Sequence, residues 1–301
     1  MFSEEFLRKN CHKSGNQIAK EQGLDPGNVR TALRALKGKY PDLEWYADPR
    51  HKTETRTLRG IAGYDLHFPH HHKKLWKNVL RFCADFKPDV FLLGGDNLNI
   101  DALDHWALDS KRFRKLEGKR LTREYRGFND RILAPLGEVL DEETRRIILL
   151  GNHEQWVEHY IDKHPQLEGF LEVRRNLDLD GWEVYDYGLC AKVGKLYFHH
   201  GEYFNKHSAA KTVEVFGRNM VFGHGHTSQT FTAVSPVDAE AHAATQLPCM
   251  CSRNPHYRRN KSNAWVNGFG VFHIREDESF NLYPVIAVDG EFTAPDGKVY
   301  E

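Results

Sequence analysis

Four short apolar stretches along this chain each run directly into glycine or histidine. Val90-Phe91-Leu92-Leu93 leads into Gly94-Gly95-Asp96, Ile147-Ile148-Leu149-Leu150 into Gly151-Asn152, Lys195-Leu196-Tyr197-Phe198 into His199-His200, and Met220-Val221-Phe222 into Gly223-His224. Runs this short with such boundaries read as buried strands, and residues just past strand C-termini form the rim where layered α/β folds bind ligands. Leu58 to Ala62 reads as the first core strand. Gly270 to Ile274 and Asn281 to Ile286 read as strands and are predicted to complete a second sheet. Gln155 to Lys163 reads as a helix, and residues 101–145 as a helical insertion between the second and third strands.

The first forty residues have a different pattern. Residues 15–37 read as helix, glycine turn and helix: Ile18 and Ala19, then Gly23, then Leu24 and Val29, a spacing that lets two short helices cross and pack. Asp25 is placed to cap the second helix and Pro26 suits its first position. The segment is similar to a helix-turn-helix, whose second helix would present Asn28, Arg30, Thr31 and Arg34 to a DNA major groove. A protein-contact or dimerisation module is the other use of such a pair. Residues 41–57 carry prolines and charges without a sustained period and mark a linker. The expected organisation is a helical domain over 1–40, a linker over 41–57 and a larger domain over 58–301.

Composition narrows the class only slightly. With 301 residues, 40% hydrophobic and 28% charged, the chain has the make-up of a globular protein. No stretch is long and apolar enough to span a membrane, and Met1 to His12 lacks the apolar core of a secretory signal, so a cytoplasmic location is expected. Cys11, Cys83, Cys190, Cys249 and Cys251 are odd in number and lack zinc-ribbon spacing; free thiols are expected, and Cys249-Met250-Cys251 is assigned no metal. Forty-two basic and 42 acidic side chains cancel, so the global field does not point to nucleic acid. Locally, residues 111–126 hold eight Lys or Arg against two Glu, and residues 253–261 hold Arg253, Arg258, Arg259 and Lys261 without an acid. Either run would track a phosphate backbone if it faced one.

The chemistry lies in five short motifs at the strand ends: Asp65-Leu66-His67, Gly95-Asp96-Asn97, Gly151-Asn152-His153-Glu154, His200-Gly201 and Gly223-His224-Gly225-His226. Each alone is weak, since buried histidines bonded to carbonyls are common. Their joint order is specific. Imidazoles, carboxylates and one amide oxygen suit first-row divalent metals without help from cysteine.

At these residues, over roughly 58–285, the chain resembles the calcineurin-like metallophosphoesterase superfamily. It looks closest to the phosphoesterases of bacteriophages and mobile elements, with Trp265-x-x-Gly268-Phe269 as a further shared feature. The resemblance implies an α/β (α+β) fold, a four-layer αββα sandwich, here with a small helical N-terminal domain. It implies that Asp65, His67 and His226 hold one metal, that Asn152, His200 and His224 hold another, and that Asp96 bridges them, with His153 touching substrate. The fourth motif reads His199-His200-Gly201, so either histidine could serve; His200 directly precedes the glycine as in the family. The second motif continues Asn97-Leu98-Asn99 and lacks the Asp-Arg-Gly continuation of the Ser/Thr protein phosphatases, so that activity is not expected.

Phosphate esters hydrolyse very slowly unaided. A hydroxide bridging two ions is the expected nucleophile, and the ions clamp the phosphoryl oxygens. His153 could donate to the leaving oxygen, and Glu154 could orient an imidazole from behind or complement the helix dipole. Manganese is the first expectation for the two ions, with iron, nickel or zinc as alternatives. The expected activity is hydrolysis of a phosphodiester in nucleic acid, with DNA favoured. A small-molecule or cyclic-nucleotide phosphodiesterase or phosphomonoesterase is the second reading, and a DNA-binding or assembly module without turnover the third. Oligomeric state is not legible.

Overall fold

The computed structural model describes residues 3–40, 43, 57–104, 107, 111, 114, 116–237, 239–255 and 263–301. The expected linker lies almost wholly outside the described residues, as do Arg112, Lys115, Arg258, Arg259 and Lys261 of the two basic runs. The chain divides into two compact units, Met1–Arg56 and Thr57–Glu301. No described helix is long and apolar enough to cross a membrane.

The first unit contains three helices, α1 (Glu4–Lys9), α2 (Gly15–Gln22) and α3 (Pro26–Lys39). Gly23 closes α2 in the left-handed conformation, and Asp25 caps α3 by accepting from the Asn28 N–H at 2.8 Å. Ile18, Ala19 and Val29 form the buried centre, with Phe6 and Leu33 packed on it. Asn28, Arg30, Thr31 and Arg34 are all exposed.

In the second unit, β1 (Leu58–Gly63) is followed by α4 (Lys73–Phe86), β2 (Val90–Gly94), α5 (Leu121–Phe128), α6 (Ala134–Val139), β3 (Arg145–Leu149), α7 (Asn152–Lys163), the short α8 (Val173–Asn176) and β4 (Trp182–Tyr185). Next come β5 (Ala191–Val193), β6 (Leu196–Phe198), α9 (Ser208–Phe216), β7 (Asn219–Phe222), β8 (Gln229–Val234), β9 (Ala241–Gln246), β10 (Asn267–Ile274), β11 (Phe280–Ala287), β12 (Phe292–Thr293) and β13 (Val299–Tyr300). One six-stranded sheet has the order β11-β10-β1-β2-β3-β4, and a five-stranded sheet has the order β5-β6-β7-β9-β8.

Alternation along the strands builds the layers. In β2, Phe91 and Leu93 face a core shared with Leu75, Val79 and Phe82 of α4 and Val157 of α7. Val90 and Leu92 face the other way, against Leu196, Phe198 and Val221 of the second sheet. Beyond the second sheet, Met220, Phe222 and Ala244 pack on Ala209 and Val213 of α9. The result is an αββα sandwich.

Two sequence expectations are corrected here. β10 and β11 do not complete the second sheet; β10 pairs antiparallel with β1, Leu58 opposite Ile274 and Ile61 opposite Val271. The reason is two-faced burial: Phe269 and Val271 reach the helical side of the first sheet while Phe272 and Ile274 reach the inter-sheet core. Gly60 makes room for this, since a Cβ there would lie 2.0 Å from the Phe272 ring. The second sheet is completed instead by β8 and β9, which pair from Gln229–Gln246 to Val234–Ala241. In addition, α7 begins at Asn152 rather than Gln155, so Asn152 and His153 belong to its first turn.

Candidate metal centre

Five loops at the strand ends bring the motif residues together. Asp65 and His67 follow β1, Asp96 follows β2, Asn152 and His153 open α7 after β3, His200 follows β6, and His224 and His226 follow β7. Asp65, His67, Asp96, His224 and His226 all have positive φ, between 48° and 66°. Such backbone costs of order 1–3 kcal/mol per residue and persists where the surroundings over-determine it.

The donors fall into three groups, two of which contain Asp96. Asp65, His67 and His226 place their donor atoms within 4.8 Å of one another, as do Asp96, His200 and His224, and as do His67, Asp96 and His153. His67 Nε2 lies 3.1 Å from His226 Nε2 and 3.6 Å from Asp96 Oδ2. On the other side, His200 Nε2 lies 3.4 Å from Asp96 Oδ1 and 3.1 Å from Asn152 Oδ1. Asp96 thus faces one group with each oxygen. His199 points elsewhere: its ring sits 5.4 Å from Phe216, and its Nδ1 accepts from the Gly201 N–H.

A divalent ion fits this donor set. Asp65 is wholly buried and its Oδ1 has no hydrogen-bond partner among the described residues, while His226 Nε2 at 3.3 Å and His67 Nε2 at 3.9 Å face it. Burial works against a charged Asp96, yet His200 and His153 hold its carboxyl well below the usual range. Burial likewise opposes a charged His200 or His226, but Asp96 and Asp65 outweigh it and raise both imidazoles to about 9. Two buried carboxylates need cations beside them, and protonated imidazoles fill that need only until metal ions displace the protons.

The shell behind the donors fixes their orientation. His200 Nδ1 donates to the Gly94 carbonyl at 3.1 Å, His67 Nδ1 to Asn99 Oδ1 at 3.1 Å, and His153 Nδ1 to the Asn99 carbonyl at 2.9 Å. Each bond leaves Nε2 free to face the centre. Glu154 does not orient an imidazole. Its buried carboxylate accepts the N–H groups of Asp96, Leu98 and Gly151 at 3.1, 2.8 and 2.7 Å, holding the second motif loop against the start of α7. Burial, together with nearby Asp96, raises its carboxyl to about 7.

Two glycines let the loops meet. A Cβ on Gly151 would fall 2.2 Å from both the main-chain N and Oδ1 of Asp96, and one on Gly223 would fall 2.5 Å from Asp65 Oδ2. Asn99 is a site residue that the motifs missed; its only signal was its place in Asn97-Leu98-Asn99. Glu124 was missed too: from α5 it accepts the Ile100 and Asp101 N–H groups at 2.6 and 3.1 Å, bracing the same loop. Aromatic rings surround the donors. Trp156 stacks on His153 at 3.9 Å, Trp265 meets His226 edge-on at 4.2 Å, and Phe204, 74% exposed, lies 5.7 Å from His224. Of the basic run, Lys119 is tied to Asp101 at 2.6 Å, whereas Lys111, Arg114 and Arg123 are exposed.

Neither a family model nor a curated protein matches the chain. Solved structures with a similar course of chain include a single mutant of Vps29 from Entamoeba histolytica, at 13% identity over 77% of this chain and 94% of that one, with a TM-score of 0.40. A predicted phosphoesterase from Streptococcus pneumoniae aligns at 13% identity over 81% and 94%, with a TM-score of 0.34. A metallophosphoesterase from Sphaerobacter thermophilus aligns at 12% identity over 76% and 88%, with a TM-score of 0.40. A likeness this distant carries no assignment of family or activity to the chain.

Proposed function

We propose that the centre is a dinuclear divalent-metal site that hydrolyses phosphodiester bonds in nucleic acid. The observation that carries the reading is the meeting of seven donors from five separate loops, with Asp96 turned to one group through each oxygen. Asp65, His67 and His226 would hold one ion and Asn152, His200 and His224 the other, with Asp96 between them. Two such ions supply a water-derived nucleophile near neutral pH and neutralise charge on the phosphoryl oxygens.

The remaining work falls to the chain. His153 stands in the first turn of α7, where main-chain N–H groups and the helix dipole favour an anion. Its Nδ1 is committed to the Asn99 carbonyl and its plane is fixed by Trp156, so Nε2 is the atom that would give a proton or hydrogen bond to the leaving oxygen. Phe204 offers an exposed face on which a base could stack. Nucleic acid as substrate is supported by Asn28, Arg30, Thr31 and Arg34, exposed on one helix of the first unit.

The test is hydrolysis by manganese-loaded protein of bis-p-nitrophenyl phosphate, p-nitrophenyl phosphate, and labelled single- and double-stranded DNA and RNA. The diester is expected to be preferred and a polymer to be cut. Monoester preference with every polymer intact would overturn the nucleic-acid assignment and favour a small-molecule substrate.

A further inference from the structure

Behind His226 lies a second set of donors that the centre described above does not use. Cys249 and Cys251 stand on an extended segment, Cys249 bridged to Tyr64 and Asn267 and Cys251 to His71. Two-residue periodicity sends both sulfurs to one face and Met250 to the other. Both thiols are fully buried, and one donor atom from each of Cys249, Cys251 and His226 lies within 4.8 Å of the others. Cys251 Sγ is 3.8 Å from His226 Nδ1, the ring nitrogen turned away from Asp65 and His67.

We propose that Cys249 Sγ, Cys251 Sγ and His226 Nδ1 form a soft-metal site for an ion of the zinc class, separate from the dinuclear centre and sharing one imidazole with it. Tetrahedral zinc bonds of about 2.3 Å to sulfur and 2.0–2.1 Å to nitrogen set neighbouring donors roughly 3.5–3.8 Å apart. The observed sulfur–nitrogen separation of 3.8 Å lies about 0.2 Å beyond the sulfur–nitrogen end of that spacing, a closure within reach of a side-chain adjustment. Two thiolates balance the charge of a divalent ion, so the site is neutral when filled while His226 keeps its proton on Nε2. Asn267 supports it from behind, donating from Nδ2 to the Cys251 carbonyl at 2.6 Å and the Cys249 carbonyl at 3.2 Å, with Cys249 Sγ at 3.7 Å. Thiolate donors select zinc-class ions, while the nitrogen and oxygen donors of the front centre accept harder ones, so the two sites sort metals by softness. Binding releases both thiol protons. It also displaces the His226 proton on Nδ1, so with Nε2 ligated at the same time the ring gives up both of its protons and is shared as an imidazolate, which links occupancy of the two sites.

This site does not depend on the phosphodiesterase reading, and its test does not use activity. Cobalt(II) is titrated into the metal-free full chain while absorption and bound metal are followed. Wild type is expected to develop a thiolate-to-cobalt charge-transfer band. The Cys249→Ser/Cys251→Ser double variant is expected to lose that band and one equivalent of cobalt while keeping the weaker bands of the nitrogen- and oxygen-ligated ions. No charge-transfer band in wild type, a measurement that needs no variant, would overturn the proposal. Persistence of the band in the double variant would overturn it as well, since Cys11, Cys83 or Cys190 would then be the sulfur donor.

Discussion

His67, His153 and His200 are each steered by what the second ring nitrogen touches, and this separates the roles of neighbouring residues. Asp96 faces both metal groups, whereas His153 stands beside them with its Nδ1 bound to Asn99. We predict that Asp96→Asn loses both hydrolysis and bound metal. For His153→Ala we predict normal metal content with kcat lowered by about 10²–10⁴-fold; full activity in that variant would remove His153 from the chemistry. Glu124 offers a pH readout away from the ligands. Burial, with Asp101 adding to it, raises its carboxyl from 4.5 to about 8, so the folded state holds this proton more tightly than the unfolded chain. That contribution to stability is complete below pH 4.5 and is lost as pH rises to about 8. Between pH 5 and 8 the melting temperature of Glu124→Gln should therefore gain on wild type, and a constant difference would mean that Glu124 does not titrate there.

At the scale of elements, the site is a set of strand ends locked against one another. The Gly151 turn between β3 and α7 lies so close to the β2 loop that a methyl group would overlap Asp96. Gly151→Ala is predicted to cost about 1–3 kcal/mol of stability, as overpacking does, and to weaken metal binding measurably by calorimetry. Unchanged metal affinity would show that the loop yields without disturbing Asp96. The sequence made these strand ends legible because apolar runs stop abruptly at Gly94, Gly151, His199 and Gly223. It left β8 and β9 unread. β8 is mostly exposed, Thr230, Phe231 and Thr232 among its exposed residues, and so carries no clean apolar alternation. The start of α7 was misplaced because its cap is Glu154, a residue inside the helix reaching back to the Gly151 N–H, with no Ser, Thr or Asp before it to mark the turn.

For the whole molecule, the chain divides into two compact units, and the first can be tested by itself. Lys13–Glu21, Lys39–Glu4 and Lys9–Glu5 pair within the first unit at 2.7, 3.0 and 3.2 Å, which engages three of the four acidic side chains of residues 1–39 and leaves the surplus of its eight basic ones in place. Arg30 contacts Asn16 at 3.2 Å, and Arg34 is exposed on the same helix. We predict that Arg30→Ala/Arg34→Ala leaves hydrolysis of a small diester unchanged, weakens binding to DNA and lowers its salt dependence, since each lost phosphate contact reduces the slope by about one. Unaltered DNA affinity and salt slope would assign the helix pair to protein contact.

The chain by itself determined which donor atoms stand at the strand ends. Ligand types are set by residue identity, and the motifs lie next to strands whose apolar runs are local and readable. Tertiary structure alone decided which sheet takes β10 and β11, because that choice depends on the two faces of β10 each finding a core. It also decided that Asp96 divides its oxygens between two groups, that Glu154 and Glu124 hold a loop rather than a side chain, and that Cys249 and Cys251 lie behind His226. The pairing of β10 with β1, the two sides of Asp96, the Glu124 and Glu154 braces and the cysteines behind His226 join residues 23 to 216 positions apart in the chain, and only packing brings such distant segments within bonding distance.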